Sequence, residues 1–198
     1  MRKVYALDLA GFGESKKLNK PYSLDDYVTE VKNLITACGI EKYDVLAHSF
    51  GGRIALRLAL IDNRVDKLVL TGSAGLKPKR KLSYYFKVYS YKVLKKFLPK
   101  NLLQNFGSSE YRSLDEVVKK SYLKIVNEHQ DDEVKKINNQ TLIIYGEDDN
   151  ETPLYMAKRL NKYIKNSNLK IIKGAGHFAF IDDAFSFNLY LKEFLLGD

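Results

Sequence analysis

Cysteine is almost absent from this chain: Cys38 is the only one in 198 residues. A single thiol closes no internal disulfide, so the sequence points to a reducing compartment. Cys38 ends an apolar helical pattern and is expected to be buried packing. Long apolar runs are absent too. None is long enough to cross a bilayer, and Asp8 interrupts the opening stretch too early for a signal peptide. The expectation is a soluble, cytoplasmic protein. Among the three histidines, His48, His129 and His177, no cluster has metal-ligand spacing, so neither a metal nor a cofactor is expected. His48, beside Ser49 in sequence, is expected to point elsewhere and to pack or hydrogen-bond there, and His129, in a polar stretch, to be exposed. The Gly11–Gly13 pair lacks the continuation of a phosphate loop and reads as a turn. There is no internal repeat and no low-complexity linker.

Acidic residues are missing from one segment. The chain carries 33 basic and 24 acidic residues, a formal charge of +9, and nine basic residues with no acid lie between Ala74 and Lys100. Those nine account for the whole excess, so basic character belongs to one segment and not to the fold. No nucleic-acid-binding motif accompanies it, and a nucleic-acid partner is not expected.

What is present is ordinary globular composition, 45% hydrophobic and 29% charged, in a chain long enough to bury a core without staples. Apolar runs at Val4–Leu9, Tyr43–Ala47, Lys67–Thr71, Thr141–Tyr145 and Leu169–Ile172 read as buried strands. Between them lie helical patterns: one from Leu24, capped by Ser23 with Asp26 and stopped near Gly39; Phe50–Ile61; and Leu154–Ile164, with Thr152 placed to cap it and Pro153 at its first position. Phe178–Leu196 contains a closing helix. Alternation of strand and helix predicts an α/β fold with a mostly parallel sheet covered on both faces. Residues 76–138 show only helical periodicity and read as an inserted cap, leaving 1–75 and 139–198 as the core.

Ala47-His48-Ser49-Phe50-Gly51-Gly52 sits between a predicted strand and a predicted helix. That is the setting of a nucleophile elbow, whose tight turn needs small residues two before and two after the serine, here Ala47 and Gly51. A hydroxyl held there stands at a helix N-terminus, where developing negative charge is stabilised. A serine also needs a base oriented by an acid. Two loops that follow strand C-terminal ends offer them: Gly146–Pro153, with Asp148 and Asp149, and Gly174–Phe178, with His177. Both open on the edge that carries Ser49, where α/β sheets bind ligands.

Together with Asp8–Ser15, these pieces resemble the α/β-hydrolase superfamily, in its serine branch with a helical cap, over nearly the whole chain. The resemblance implies Ser49 as nucleophile, His177 as base, Asp149 as the orienting acid with Asp148 its neighbouring rival, and the Phe50 N–H as an oxyanion donor. It also implies an N-terminally shortened core. In the family, strands and a glycine-containing loop precede the piece matching Asp8-Leu9, and that loop gives the second oxyanion donor. Closing the gap predicts direct pairing of Val4–Leu9 with Tyr43–Ala47 and a new edge strand that invites a second copy.

Leu82, Tyr85, Phe86, Tyr89, Val93 and Phe97 recur at near-helical spacing among lysines. They read as a cap helix with its apolar face over the cleft. The alternatives are a basic amphipathic helix on an anionic membrane surface and an acidic substrate or partner drawn by the local charge. The expected partner is a small-molecule substrate. The expected activity is hydrolysis of carboxylic esters of small or medium apolar substrates through an acyl-enzyme. Its alternatives are carbon–carbon bond hydrolysis with the same three residues, and a catalytically impaired remnant that binds a ligand or partner.

Overall fold

The computed structural model describes residues 3–79 and 115–197. The chain divides into two compact units, Met1–Pro21 with Pro78–Leu123 and Tyr22–Lys77 with Lys124–Asp198. The expected cap helix between Leu82 and Phe97 lies outside the described residues.

The larger unit holds a four-stranded sheet in the order β1 (Tyr43–His48), β2 (Val65–Thr71), β3 (Gln140–Gly146), β4 (Ser167–Ile172), every pair parallel. Among the described residues of the chain, the α-helices are α1 (Leu24–Ala37), α2 (Phe50–Ile61), α3 (Glu116–Val126), α4 (Leu154–Tyr163), α5 (Ala179–Asp182) and α6 (Ala184–Leu196). Period-two alternation divides the sheet between two cores. Leu68, Leu70, Ile143 and Tyr145 pack with Leu56 of α2 and Leu160 of α4. Val69, Leu142 and Ile144 pack with Phe187 of α6. Right-handed crossovers that advance in one direction leave α2 and α4 on the same face, and the closing helix returns to cover the other.

Ser23 and Asp26 form the expected capping box at the start of α1, each accepting from the other's backbone N–H. Cys38, expected to be buried, is exposed. The buried stripe of α1 runs through Leu24, Tyr27, Val28, Val31 and Ile35, but the helix ends at Ala37, so Cys38 becomes its C-cap instead of the stripe's next member. Two arginines of α2 anchor the C-terminal end of α3 and the chain that follows it. Buried Arg53 donates to the carbonyls of Ile125, Val126 and Glu128, and Arg57 pairs with Glu128 and Glu133. His129, expected to be exposed, is half-buried. Among the described residues no helix is long and apolar enough to cross a membrane.

In the smaller unit, Val4–Leu9 is not a strand, which overturns the expected pairing with Tyr43–Ala47. Val4 is 83% exposed, and Tyr5 and Leu7 are exposed as well. An apolar run becomes a strand only with a ladder partner and a face to bury, and this one has no such burial. Its polar groups close a local turn instead: the Glu14 N–H donates to the Asp8 carboxylate and the Ser15 hydroxyl to the Asp8 carbonyl. Gly11, at φ +84°, lies against Leu18 and Val118. With Val4–Leu9 outside the ladder, β1 is an end strand of the sheet.

Candidate active site

The last rungs of a parallel ladder bring the C-terminal ends of all four strands to one edge. His48 pairs with Thr71 at the end of β1, and the Ser49 N–H donates to the Thr71 carbonyl at 3.1 Å. The chain then turns directly into α2. Ser49 has φ +50° and ψ −115° and is the only described non-glycine residue with positive φ. An L-residue there costs on the order of 1–3 kcal/mol, which the surrounding fold must offset. Strain of this kind is what an elbow requires to lift a side chain clear of the sheet. Phe50 opens α2, so its N–H is the first of the helix.

The small residues of the turn have distinct reasons. A Cβ on Gly51 would sit 3.8 Å from the Ala47 Cβ, so this pair admits a methyl but little more. A Cβ on Gly52 would fall 1.9 Å from the Ser73 Oγ. Gly52 therefore lets α2 approach the segment after β2. Gly146 permits a similar approach, since a Cβ there would lie 2.2 Å from the carbonyls of Ala175 and Gly176. That closeness seats the loop after β3 against the loop after β4. The Glu147 N–H to the Ile172 carbonyl and the Asp148 N–H to the Ala175 carbonyl, both 2.9 Å, fix it.

Within that pair of loops Asp149 and His177 meet, with Asp149 Oδ2 2.9 Å from His177 Nδ1. Asp149 is 4% exposed and His177 is also buried. Asp148, the neighbouring rival, is exposed. The Asp149 carboxylate also accepts from the backbone N–H of Glu151 and of Thr152, and from the Thr152 hydroxyl at 2.8 Å. Burial is the largest influence on this carboxyl and pushes it up. The hydrogen bonds from His177 and Thr152 together outweigh burial and hold it below the ordinary aspartate value. A carboxylate only accepts, so Nδ1 carries the proton and the Nε2 of neutral His177 holds a lone pair.

Thr152 is therefore not the helix cap expected from the sequence. Pro153 takes the N-cap position of α4, and the Thr152 hydroxyl is committed to Asp149. His48 packs and hydrogen-bonds as expected, and the structure adds its partner. Its Nε2 lies 3.0 Å from the His177 carbonyl oxygen, and the two rings stand 4.6 Å apart. A carbonyl only accepts, so Nε2 of His48 carries a proton. Burial pushes His48 below the ordinary imidazole range, which keeps it neutral at neutral pH. Phe178 and Phe180 enclose its ring, each at 5.2 Å. Gly72, at φ +48°, passes beneath His177, where a Cβ would lie 3.0 Å from Nδ1. Glu151 is a second residue whose place sequence reasoning missed. Its carboxylate stands 3.5 Å from His177 Nε2.

A family model described as alpha/beta hydrolase fold matches residues 2–92 and 75–184. Among curated proteins, the chain is 25% identical to a 2-hydroxy-6-oxo-2,4-heptadienoate hydrolase of Pseudomonas putida over 100% of this chain and 79% of that protein. It is 28% identical to a 2-hydroxymuconate semialdehyde hydrolase of Pseudomonas putida over 98% of this chain and 77% of that protein. Among solved structures, a serine hydrolase of the polyaromatic-hydrocarbon-degrading bacterium Cycloclasticus zankles superposes with a TM-score of 0.69 at 26% identity, covering 96% of this chain and 77% of its own. A meta-cleavage product hydrolase of Pseudomonas fluorescens gives 0.70 at 24% identity, covering 96% and 78%.

Proposed function

Because the chain belongs to the α/β-hydrolase fold family and is a hydrolase, we infer that Ser49, His177 and Asp149 act together to hydrolyse a carbon–carbon bond beside a carbonyl. The observation that carries this is the similarity over at least 98% of the chain to curated enzymes named for 2-hydroxy-6-oxo-dienoate and 2-hydroxymuconate semialdehyde substrates. It favours carbon–carbon cleavage over the ester hydrolysis placed first on sequence grounds.

In this reading the Ser49 hydroxyl attacks the carbonyl carbon while His177 Nε2 takes its proton. Asp149, acceptor of the Nδ1 proton, fixes the tautomer and stabilises the imidazolium. The Phe50 N–H donates to the oxyanion, aided by the N-terminus of α2. For a 2-hydroxy-6-oxo-dienoate, the 2-hydroxyl proton first moves to the carbon beside the 6-oxo carbonyl, giving the diketo form. The tetrahedral intermediate then collapses with rupture of the carbon–carbon bond, and the leaving carbon takes the electron pair as a conjugated enolate. His177 returns the proton to that fragment. Water, deprotonated by the same nitrogen, then releases the acyl group from Ser49 as a carboxylic acid.

The test supplies 2-hydroxy-6-oxo-2,4-heptadienoate and, separately, short p-nitrophenyl esters to the chain and to Ser49→Ala. The expected result is loss of the dienoate chromophore with two acid products, abolished in Ser49→Ala, with kcat/KM for the dienoate at least 100-fold above that for any ester. Faster ester turnover would overturn the carbon–carbon assignment in favour of an esterase. Retention of the dienoate without turnover by the folded protein would support the ligand-binding remnant.

A further inference from the structure

We propose that Glu151 is a positioning residue of the reaction, its carboxylate stabilising the His177 imidazolium at the nitrogen that faces the substrate. This rests on the reading of His177 as the base. Asp149 lies on Nδ1 at 2.9 Å and Glu151 on Nε2 at 3.5 Å, so the ring is held between two carboxylates of one loop. The two differ in environment: the Asp149 side chain is fully buried and that of Glu151 is 58% exposed. Asp149 holds the ring in either protonation state, because Nδ1 carries a proton in both. Glu151 discriminates between them. Beside neutral His177 its oxygen faces a lone pair, acceptor against acceptor. Beside the imidazolium it faces an N–H bearing positive charge. The contact therefore favours the cation, which is the form created when Nε2 takes the Ser49 proton.

The placement of Glu151 is built. Its backbone N–H donates to Asp149 Oδ1 at 2.9 Å, so the group that orients Nδ1 also fixes the backbone that presents the second carboxylate to Nε2. Other groups stand around the ring. His48 from β1 is neutral, Gly72 after β2 offers backbone, and Thr152 offers a hydroxyl 3.4 Å from Nδ1. Phe178 packs edge-on to the ring. Asp182 of α5 binds the Gly176 N–H at 2.7 Å.

Removing the Glu151 charge makes the imidazolium less stable, so His177 becomes neutral, and competent as a base, at lower pH. A unit charge at this separation in water-like surroundings corresponds to roughly half to one pH unit. The experiment follows the His177 ring by NMR as pH is varied, assigning it against His48 and His129 variants, and measures the pH profile of kcat/KM. Both are done for the native chain, Glu151→Gln and Glu147→Gln, the last an exposed acid of the same loop. Expected is a ring midpoint and an acid limb that both move down by about half to one pH unit in Glu151→Gln and stay in place in Glu147→Gln. A midpoint unchanged in Glu151→Gln, or moved equally by both variants, would overturn the proposal. So would a ring that moves while the rate profile does not. In a chain that turns nothing over, a moved ring still upholds the pairing, and the failure belongs to the functional reading.

Discussion

At the scale of single residues, the site depends on groups that do no chemistry themselves. The Asp149 carboxylate takes four hydrogen bonds, from the Glu151 and Thr152 N–H groups, the Thr152 hydroxyl and His177. Of these, the hydroxyl is the one a substitution removes without touching the backbone or the base. Thr152→Val keeps the branched shape and deletes the donor. Hydrogen bonds to charged groups are worth about 1.5–3 kcal/mol, and a buried acceptor left short of a partner loses part of that. The expected outcome is a kcat lowered about tenfold with KM little changed, because the change falls on the stabilisation of the imidazolium and not on binding. Steady-state kinetics on the substrate that the chain turns over decides it, and native kcat in Thr152→Val would show that the hydroxyl does not act through Asp149. The elbow pattern points to Ser49 and the family resemblance to Asp149 and His177, and the structure brings the last two together. Sequence reasoning gave Thr152 to the helix because a threonine just before a proline-led helix looks like a cap. What decided otherwise was the buried carboxylate three residues earlier, whose need for donors exceeds that of the helix end. For His48, packing or a hydrogen bond was legible but the partner was not, since that carbonyl lies 129 positions along the chain.

At the scale of elements, the sheet edge works because helices and loops approach more closely than side chains normally permit. Gly51 and Gly52 are adjacent in α2, and the sequence singles out Gly51 as the small residue of the elbow, yet the structure places the tighter contact at Gly52. A methyl on Gly51 meets Ala47 at an ordinary 3.8 Å, and one on Gly52 would overlap the Ser73 hydroxyl at 1.9 Å and its Cβ at 2.8 Å. Alanine favours helix over glycine by roughly 0.8–1 kcal/mol in a helix interior, and overpacking typically costs about 1–3 kcal/mol. Gly51→Ala is therefore expected to be neutral within about 1 kcal/mol. Gly52→Ala should destabilise by about 1–3 kcal/mol and displace the elbow with it. Urea denaturation of the two variants checks this, and equal stabilities would remove the packing explanation for Gly52. The elements themselves were legible: all four strands of the sheet, and α1, α2 and α4, follow from apolar runs and capping signals. Val4–Leu9 failed as a strand because its composition matches a strand while burial and pairing, which lie outside the segment, are absent. Cys38 failed for a related reason, since an apolar period does not reveal the residue at which the helix stops.

At the scale of the whole molecule, the two edges of the sheet serve opposite ends. The C-terminal edge carries the candidate site and its strain. The N-terminal edge is pinned by Asp62, a buried carboxylate between α2 and β2. The Arg64 backbone N–H and Nε donate to Oδ1, and Arg64 Nη2 and the Tyr43 hydroxyl donate to Oδ2. That network ties the start of β1 to the start of β2. The Arg64 hydrogen bonds, the largest influence, lower Asp62 to about 2 against the opposing effect of burial. A carboxyl lowered in the folded state stabilises the fold above its unfolded value near 4, and that contribution is lost as pH falls through about 2. With the partner arginine only partly covered from solvent, the contribution is on the order of 1–2 kcal/mol. Asp149 is also lowered and titrates in the acid range, so acid sensitivity of the native chain alone does not isolate Asp62. Comparison with Asp62→Asn does. Urea denaturation of both proteins at about pH 7, 4 and 2.5 should give a stability difference of about 1–2 kcal/mol at neutral pH that narrows as the pH approaches 2, because protonated Asp62 and asparagine are then nearly equivalent acceptors. A difference that stays constant across the three pH values would mean that Asp62 acts through shape and neutral hydrogen bonding, and that its charge contributes nothing to holding the strands in register.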